Sequence, residues 1–325
     1  MIGNIVHWIT GIIFGVAATT QVAVTPFPLS VNYMRQQSYP GSNITIEQTL
    51  PDGNNYHQYI TSYLSQDLKI YALLTIPKGA SPPIGGWPVI LFNHGYIPPE
   101  QYRTTERYVT YVAGFASHGY IVFKPDYRGN GLSQGQPGSS YFSPNYTIDD
   151  LNALSSIKNY PGANPNKIGV WGHSMGGNIT LRDLVTSPDI KAAVIWGGVV
   201  GSYNDIVNNW QSRVTYHPAP QDLALRNQNR QMLISQYGNP RDNSAFWQAI
   251  DPTNFLSNIS APVQLDVGGA DNEVPIAFSQ SLYQNLQSLG KTVEYYVYSG
   301  SDHNISQGFN LAMQRSLTFL DKYLK

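Results

Sequence analysis

The chain is predicted to fold as a doubly wound α/β domain. Its sheet should be mostly parallel, with antiparallel strands at the N-terminal side and an insertion before the last strands. Three observations predict this. Five short runs are apolar or nearly so: Pro88–Phe92, Ile121–Phe123, Ile168–Trp171, Ala192–Trp196 and, with Gln264 and Asp266 inside it, Val263–Val267. Strands of that kind are buried on both faces, as in a parallel sheet covered by helices. Between and after them lie segments of helical periodicity: Arg107–His118, Thr147–Lys158, Gly177–Thr186, Ile276–Leu289 and Gly308–Leu324. Finally, a glycine-flanked serine follows one strand directly and precedes one helix. In such folds ligands bind beyond the carboxyl ends of the strands.

In chain order, the N-terminus comes first. Ile5 to Val24 carries no charge, is most apolar from Ile9 to Ala18, and has small residues at Val16, Ala17 and Ala18. Residues 1–24 are therefore expected to be a signal peptide that is removed, although no Lys or Arg precedes the apolar stretch. A membrane anchor and a buried helix are the alternatives, since about 20 uncharged residues just span a bilayer. Residues 25–42 form a leader punctuated by Pro and Gly. Residues 43–325 then make a single domain. It opens with short β-rich pieces, Asn43–Leu50, Tyr56–Leu64 and Leu68–Ile76, suited to an antiparallel edge. No internal repeat, low-complexity block or like-charge run interrupts it. The stretch from about 199 to 260 is too long for an ordinary connection and is expected to be a cap insertion. It holds Trp210, Tyr216, Phe246 and Trp247. These aromatics suit either a roof over a pocket or a small core of their own.

Composition excludes several classes. With no cysteine, thiolate zinc, iron–sulfur, disulfide and cysteine-nucleophile chemistry are all absent. Lys plus Arg number 19 against 20 Asp plus Glu, so no net field attracts nucleic acid or anionic lipid. Charged residues are 12% of the chain, about half the usual share, beside 23 tyrosines. A neutral, hydroxyl-rich surface agrees with a secreted protein. No cofactor or metal is expected, since phosphate-loop, HExxH and calcium-loop patterns are missing. Asp126-Tyr127-Arg128-Gly129-Asn130-Gly131 lacks dinucleotide-site spacing and is expected to be a strand-end loop. The sequons at Asn43 and Asn178 bear on glycosylation only, and the second lies against the predicted nucleophile helix.

The chemistry is carried by Gly172-His173-Ser174-Met175-Gly176-Gly177. A strand ends just before it and a helix begins just after it, the setting of a strained nucleophile turn in which Cβ atoms on either side would clash. Ser174 is the candidate nucleophile. An activated serine needs a base and an orienter, which follow it in the order acid then histidine. Only His217 and His303 follow Ser174. His217 lies far from any strand end, whereas His303 follows the strand Val293–Tyr298, so His303 is the candidate base. Asp271, just past the strand Val263–Val267, is the candidate orienter. Asp266 lies inside that strand and suits a structural part; Glu273 and Asp302 are fallback acids. Two backbone amides should bind an oxyanion, those of Met175 and of Tyr96 in the loop Asn93-His94-Gly95-Tyr96. Tyr96 and Trp196 are the candidate substrate-pocket residues.

The blocks GYIVFKPDYRGNGLSQG, NPNKIGVWGHSMGGN, APVQLDVGGADNEVP and YVYSGSDHN, in this order and spacing, resemble the α/β-hydrolase superfamily. The nearest resemblance is to the catalytic domains of prolyl-oligopeptidase-type enzymes and to dienelactone-hydrolase-like esterases, over roughly residues 68–325. The pair His94-Gly95-Tyr96 and Gly172-His173-Ser174-Met175 is also similar to the oxyanion elements of cutinases. Resemblance and residues together imply a serine hydrolase acting by acyl transfer on small or polymeric carboxylic esters. The N-terminal stretch implies secretion without membrane association once the signal is removed, and the charge balance implies no nucleic-acid partner. Peptidases of that group carry a propeller domain, for which the roughly 40 residues between leader and sheet leave no room. Cleavage of short peptides or acyl-amino acids is the alternative activity, with Arg213, Arg226 and Arg230 of the insertion available to hold a substrate carboxylate.

Overall fold

A computed structural model of the chain describes residues 27–79, 81–138, 141–210 and 220–325. The expected signal segment, Arg213, Tyr216 and His217 lie outside the described residues.

After a short helix α1 (Val31–Gln36) come three antiparallel strands, β1 (Thr45–Thr49), β2 (Tyr56–Ser65) and β3 (Leu68–Pro77). The remainder alternates: β4 (Trp87–Asn93), α2 (Val109–Ser117), β5 (Ile121–Pro125), α3 (Asn145–Lys158), β6 (Ala163–His173), α4 (Met175–Thr186) and β7 (Ala192–Trp196). An insertion with α5 (Pro220–Tyr237) and α6 (Ala245–Ile250) precedes β8 (Val263–Gly268), α7 (Ile276–Ser288), β9 (Val293–Tyr298) and α8 (Phe309–Leu324). The strands form one nine-stranded sheet in the order β1-β2-β3-β5-β4-β6-β7-β8-β9. From β5 to β9 every neighbouring pair is parallel, and β3 joins β5 antiparallel.

These runs lie at the centre, where β5, β7 and β8 are buried along their whole length, Lys124, Gln264 and Asp266 included. Two apolar layers flank the sheet. One packs α1, α3, α4 and α7 on one face, and the other packs α2 and α8 on the opposite face. The spacing of Ala312, Met313, Ser316, Phe319, Leu320 and Leu324 places them on one buried stripe of α8. All twelve residues of α4 are buried, which its small Gly, Asn and Thr residues permit. Among the described residues no helix is long and apolar enough to cross a membrane.

Strand order locates the site. From β4 the chain turns to β5 on one side by way of α2, and from β6 it turns to β7 on the other side by way of α4. Loops leaving the paired strands β4 and β6 therefore part in opposite directions and open a crevice, the switch point at which such sheets bind ligands. Beside it, the buried ion pair of Arg128 and Asp149 (2.7 Å) ties the loop after β5 to α3. Leaving either charge alone there would cost about 3–5 kcal/mol.

The insertion has a small core of its own. Tyr203, Leu233, Trp247 and Ile250 cluster with Leu29 of the leader, and Phe27 and Phe246 pack against them. Arg182 of α4 holds this layer by donating to the Tyr203 hydroxyl and the Ile250 carbonyl, both at 2.7 Å.

Candidate active site

Ser174 stands between the end of β6 and the start of α4 with φ 55° and ψ −118°, a backbone region that L-residues seldom occupy. Conformations of this kind cost about 1–3 kcal/mol and persist only where surrounding bonds enforce them. Here the Ser174 N–H donates to the Trp196 carbonyl at 3.1 Å, and its carbonyl accepts from Gly177 and Val199 at 3.0 Å. Gly176 is needed because a Cβ there would lie 1.9 Å from the Asn93 carbonyl oxygen. Met175 is the first residue of α4, so its N–H has no intrahelical acceptor.

The loop after β4 faces this turn. Asn93 Nδ2 donates to Asp150 Oδ2 at 3.0 Å and Asp183 Oδ2 at 3.2 Å. Burial and then the neighbouring Asp150 hold the Asp183 carboxyl well above the usual range. Burial, then the Lys124 charge, pushes His94 down to about 3, so its imidazole is neutral. Its Nδ1 lies 2.7 Å from the Gly95 carbonyl oxygen, an acceptor, and therefore carries the hydrogen. The ring is stacked between Tyr102 and Tyr127, with centroids at 4.6 and 4.5 Å. Because C=O and N–H of one peptide point in opposite directions, fixing the Gly95 oxygen also fixes the Tyr96 N–H on the other side.

The other half of the site comes from β8 and β9. His303 Nδ1 donates to Asp271 Oδ2 at 2.8 Å, and both side chains are nearly inaccessible to solvent. Asp271 Oδ1 accepts from the Glu273 and Val274 amides at 2.8 and 2.9 Å. Burial acts to raise the Asp271 pKa, but the His303 bond and these two amides outweigh it and leave the carboxyl below its ordinary value. The imidazole fits because residue 197 is glycine, where a Cβ would lie 3.1 Å from His303 Nδ1. The fallback acids stand elsewhere. Asp302 caps its own turn by accepting from Ser306 N and Oγ at 2.8 Å, and Glu273 lines the wall of the cleft.

Ser174 and His303 share a cleft of about 180 Å³ whose wall includes Tyr96, Tyr108, Tyr111 and His173. Trp196, expected in the pocket, is instead fully buried beneath it: its Nε1 donates to Ser316 Oγ at 3.0 Å and its ring packs on Trp171 and Phe309. Trp196 ends a parallel strand, and its side chain falls on the α2/α8 face of the sheet. Among the described residues none of the insertion lines the cleft. Its helix α5 reaches the rim, with Arg226 over the Tyr96 ring at 5.4 Å and Asp222 Oδ2 3.5 Å from the Tyr96 hydroxyl.

This geometry agrees with comparisons to known proteins. The family model of the prolyl oligopeptidase family matches residues 106–325. An uncharacterized peptidase of Bacillus subtilis, YtmA, is 30% identical over 261 residues, which are 80% of this chain and 91% of that protein. The chain belongs to the prolyl oligopeptidase family. It is thus a hydrolase of the serine peptidase and esterase type. Solved structures share the fold. A puromycin-hydrolyzing peptidase of Mycobacterium tuberculosis superposes with a TM-score of 0.65 at 19% identity, over 85% of this chain and 40% of that one. An acetyl xylan esterase from Paenibacillus sp. R4 superposes at 0.64 and 18% identity, over 90% and 92%.

In this member of the prolyl oligopeptidase family, sequence reasoning passed over His94 as a side chain, His173, Tyr108 and Tyr111. His173 was visible between Gly172 and Ser174, but its role depends on Tyr108, 65 positions earlier in the chain.

Asp266 takes the structural part expected of it. It is fully buried, accepting from the Tyr298 hydroxyl and from Gln264 Nε2, both at 2.6 Å. Burial, opposed by these bonds, pushes its pKa up to about 7. A carboxyl raised in this way lends stability that is complete below its unfolded value near 4 and is lost as pH rises through 7. Asp266→Asn is therefore expected to gain on the wild type by about 2–4 kcal/mol between pH 4 and pH 8. Urea unfolding at the two pH values measures this, and a constant difference would refute it. Hydrolytic turnover by the variant should stay within about threefold of the wild type, since its carboxyl touches no cleft residue.

Proposed function

We propose that this chain is a secreted serine esterase that cleaves carboxylic esters of short acyl groups through an acyl-enzyme on Ser174. The observation that carries this reading is the placement of Ser174, on its strained turn, in one small cleft with the imidazole that Asp271 holds by Nδ1. With Nδ1–H engaged, Nε2 is left as the acceptor for the serine proton. Ser174 Oγ attacks the ester carbonyl as His303 takes its proton, and the oxyanion forms against the amides of Tyr96 and Met175. The alkoxide departs with the proton from His303, and a water activated by the same imidazole releases the acid.

The cleft of about 180 Å³ is smaller than the roughly 300–1,000 Å³ of sites for drug-sized ligands, which supports acetyl to butyryl groups over long acyl chains. The likeness to an acetyl xylan esterase supports an acetylated carbohydrate among the substrates. Export rests on the uncharged stretch Ile5–Val24. A second reading, cleavage of short peptides or acyl-amino acids, is favoured by the peptidase relatives.

The ester reading is preferred because amide cleavage demands protonation of a poor leaving group and remote binding energy to align the peptide. The test is kcat/KM for nitrophenyl esters from acetate to octanoate, beside aminoacyl and prolyl anilides and acetylated xylan. Acetate or butyrate should be the best acyl group, with octanoate at least about tenfold worse and the anilides lower by orders of magnitude. Anilide cleavage within tenfold of the best ester would reverse the choice.

A further inference from the structure

Immediately before α2, Arg107 and Tyr108 both adopt left-handed backbone, with φ 57° and 52°. Each such non-glycine residue costs roughly 1–2 kcal/mol, so tertiary bonds must hold the pair. Among these bonds are those of the Tyr108 hydroxyl. It accepts from the Gly95 N–H at 2.9 Å and lies 2.8 Å from His173 Nδ1. His173 Nε2 lies 3.2 Å from the carbonyl oxygen of His303. A carbonyl only accepts, so Nε2 carries the hydrogen, Nδ1 is the acceptor, and the tyrosine O–H donates to it. One directed chain thus runs from the Gly95 N–H through Tyr108 and His173 to the backbone of His303.

We propose that Tyr108 and His173 are positioning residues, a relay that locks the oxyanion loop, the serine turn and the histidine loop at fixed separations. The inference rests on the esterase reading of the same site. Each end of the chain is one residue from a reacting group or is part of one. Gly95 precedes the Tyr96 amide, His173 precedes Ser174, and His303 is the base. The middle link must donate and accept through one atom, which a hydroxyl does and no apolar group can. The loop comes this close only because residue 95 is glycine, where a Cβ would lie 2.5 Å from the Tyr108 hydroxyl. Burial, then the nearby His303, pushes His173 down to about 3, so the relay keeps its direction at any working pH. The His173 and His303 ring centroids are 4.6 Å apart, so a neutral His173 places no charge against the base.

Tyr108→Phe removes the hydroxyl and retains the ring that packs edge-on against Phe92 and Trp171. With nitrophenyl acetate its kcat should fall about 10–100-fold, part of the 10²–10³ for a lost oxyanion donor, with KM within about threefold. Affinity for an alkylboronic acid, which forms a tetrahedral adduct on the serine, should fall in the same proportion as kcat/KM, while inhibition by acetate is unchanged. His173→Gln should behave alike, and the double variant should be no more than about threefold worse than the poorer single one, because both changes break one chain. The relay is overturned by a kcat within threefold of the wild type in Tyr108→Phe, by losses that multiply in the double variant, or by a loss that only follows a lowered Tm. Fluorophosphonate labelling of the wild type separates the two levels. Label on a residue other than Ser174 removes the esterase reading itself, whereas label on Ser174 with an unimpaired Tyr108→Phe removes only the relay.

Discussion

Ser174→Ala is expected to lower kcat for a short-chain nitrophenyl ester by about 10⁵–10⁶, leaving only what the amides of Tyr96 and Met175 and substrate binding provide. The size follows from the chemistry. Without Oγ no acyl-enzyme forms, and the His303–Asp271 pair has no proton to take from the attacking group. Stability should change by no more than about 0.5 kcal/mol. The Ser174 side chain makes no capping bond to α4, the bonds that hold the turn belong to its backbone, and alanine bears the same cost at φ 55° as serine. A fluorophosphonate probe should therefore add its mass to the Ser174 peptide of the wild type and to nothing in the variant. Adducts on another serine, or turnover surviving in the alanine protein, would show that the nucleophile lies elsewhere.

The second large effect is expected at Asp271, where Asn should reduce kcat by about 10³–10⁴. The loss of charge is one part. The other comes from the backbone around the carboxylate, because Oδ1 already accepts from the amides of Glu273 and Val274. An asparagine must keep its oxygen toward those two donors, so its NH₂ turns toward His303 Nδ1. That nitrogen then has to accept, the ring hydrogen moves to Nε2, and Nε2 can no longer take a proton from Ser174. The variant should fold as the wild type does, and a kcat profile against pH should show the loss at every pH. Asp302→Asn is the control: its carboxylate is occupied by Ser306, and turnover should stay within about threefold. If Asp302→Asn proves the more damaging of the two, the orienting acid has been misplaced.

Much of this was open to inspection in the chain itself. The apolar runs at Val89–Phe92, Ile168–Trp171 and Ala192–Trp196 are strands because nothing polar interrupts them, and Val263–Val267 joins them with its two polar residues, Gln264 and Asp266, buried and bonded to each other. A sheet covered on both faces is the one place where such segments satisfy their backbone without exposure to water. The turn at Ser174 was legible because its glycines answer local steric demands that any copy of the motif would face. Asp271 and His303 were chosen as candidates from chain order and strand ends, which place a loop at the top of the sheet before any contact is known, and the structure sets them 2.8 Å apart.

Only the tertiary structure decided which way side chains leave those strands and which distant residues meet. Trp196 has the composition of a pocket residue and ends a strand beside the site, yet its side chain falls on the far face of the sheet against α8. In a strand buried on both faces the sequence carries no alternation of polarity to tell one face from the other. The aromatics of the insertion had two equal uses on paper, and Phe246 and Trp247 turned inward because Leu29 of the leader, more than 200 positions away, arrives to cover them. Tyr108 carried no signal at all: it is one of 23 tyrosines. Its partners are Gly95, in the loop after β4, and His173, the last residue of β6, and a hydrogen bond 65 positions long leaves no mark in local spacing or periodicity. Local sterics and hydrophobic pattern are written along the chain, whereas the pairing of polar atoms across loops exists only once the sheet has set their separations.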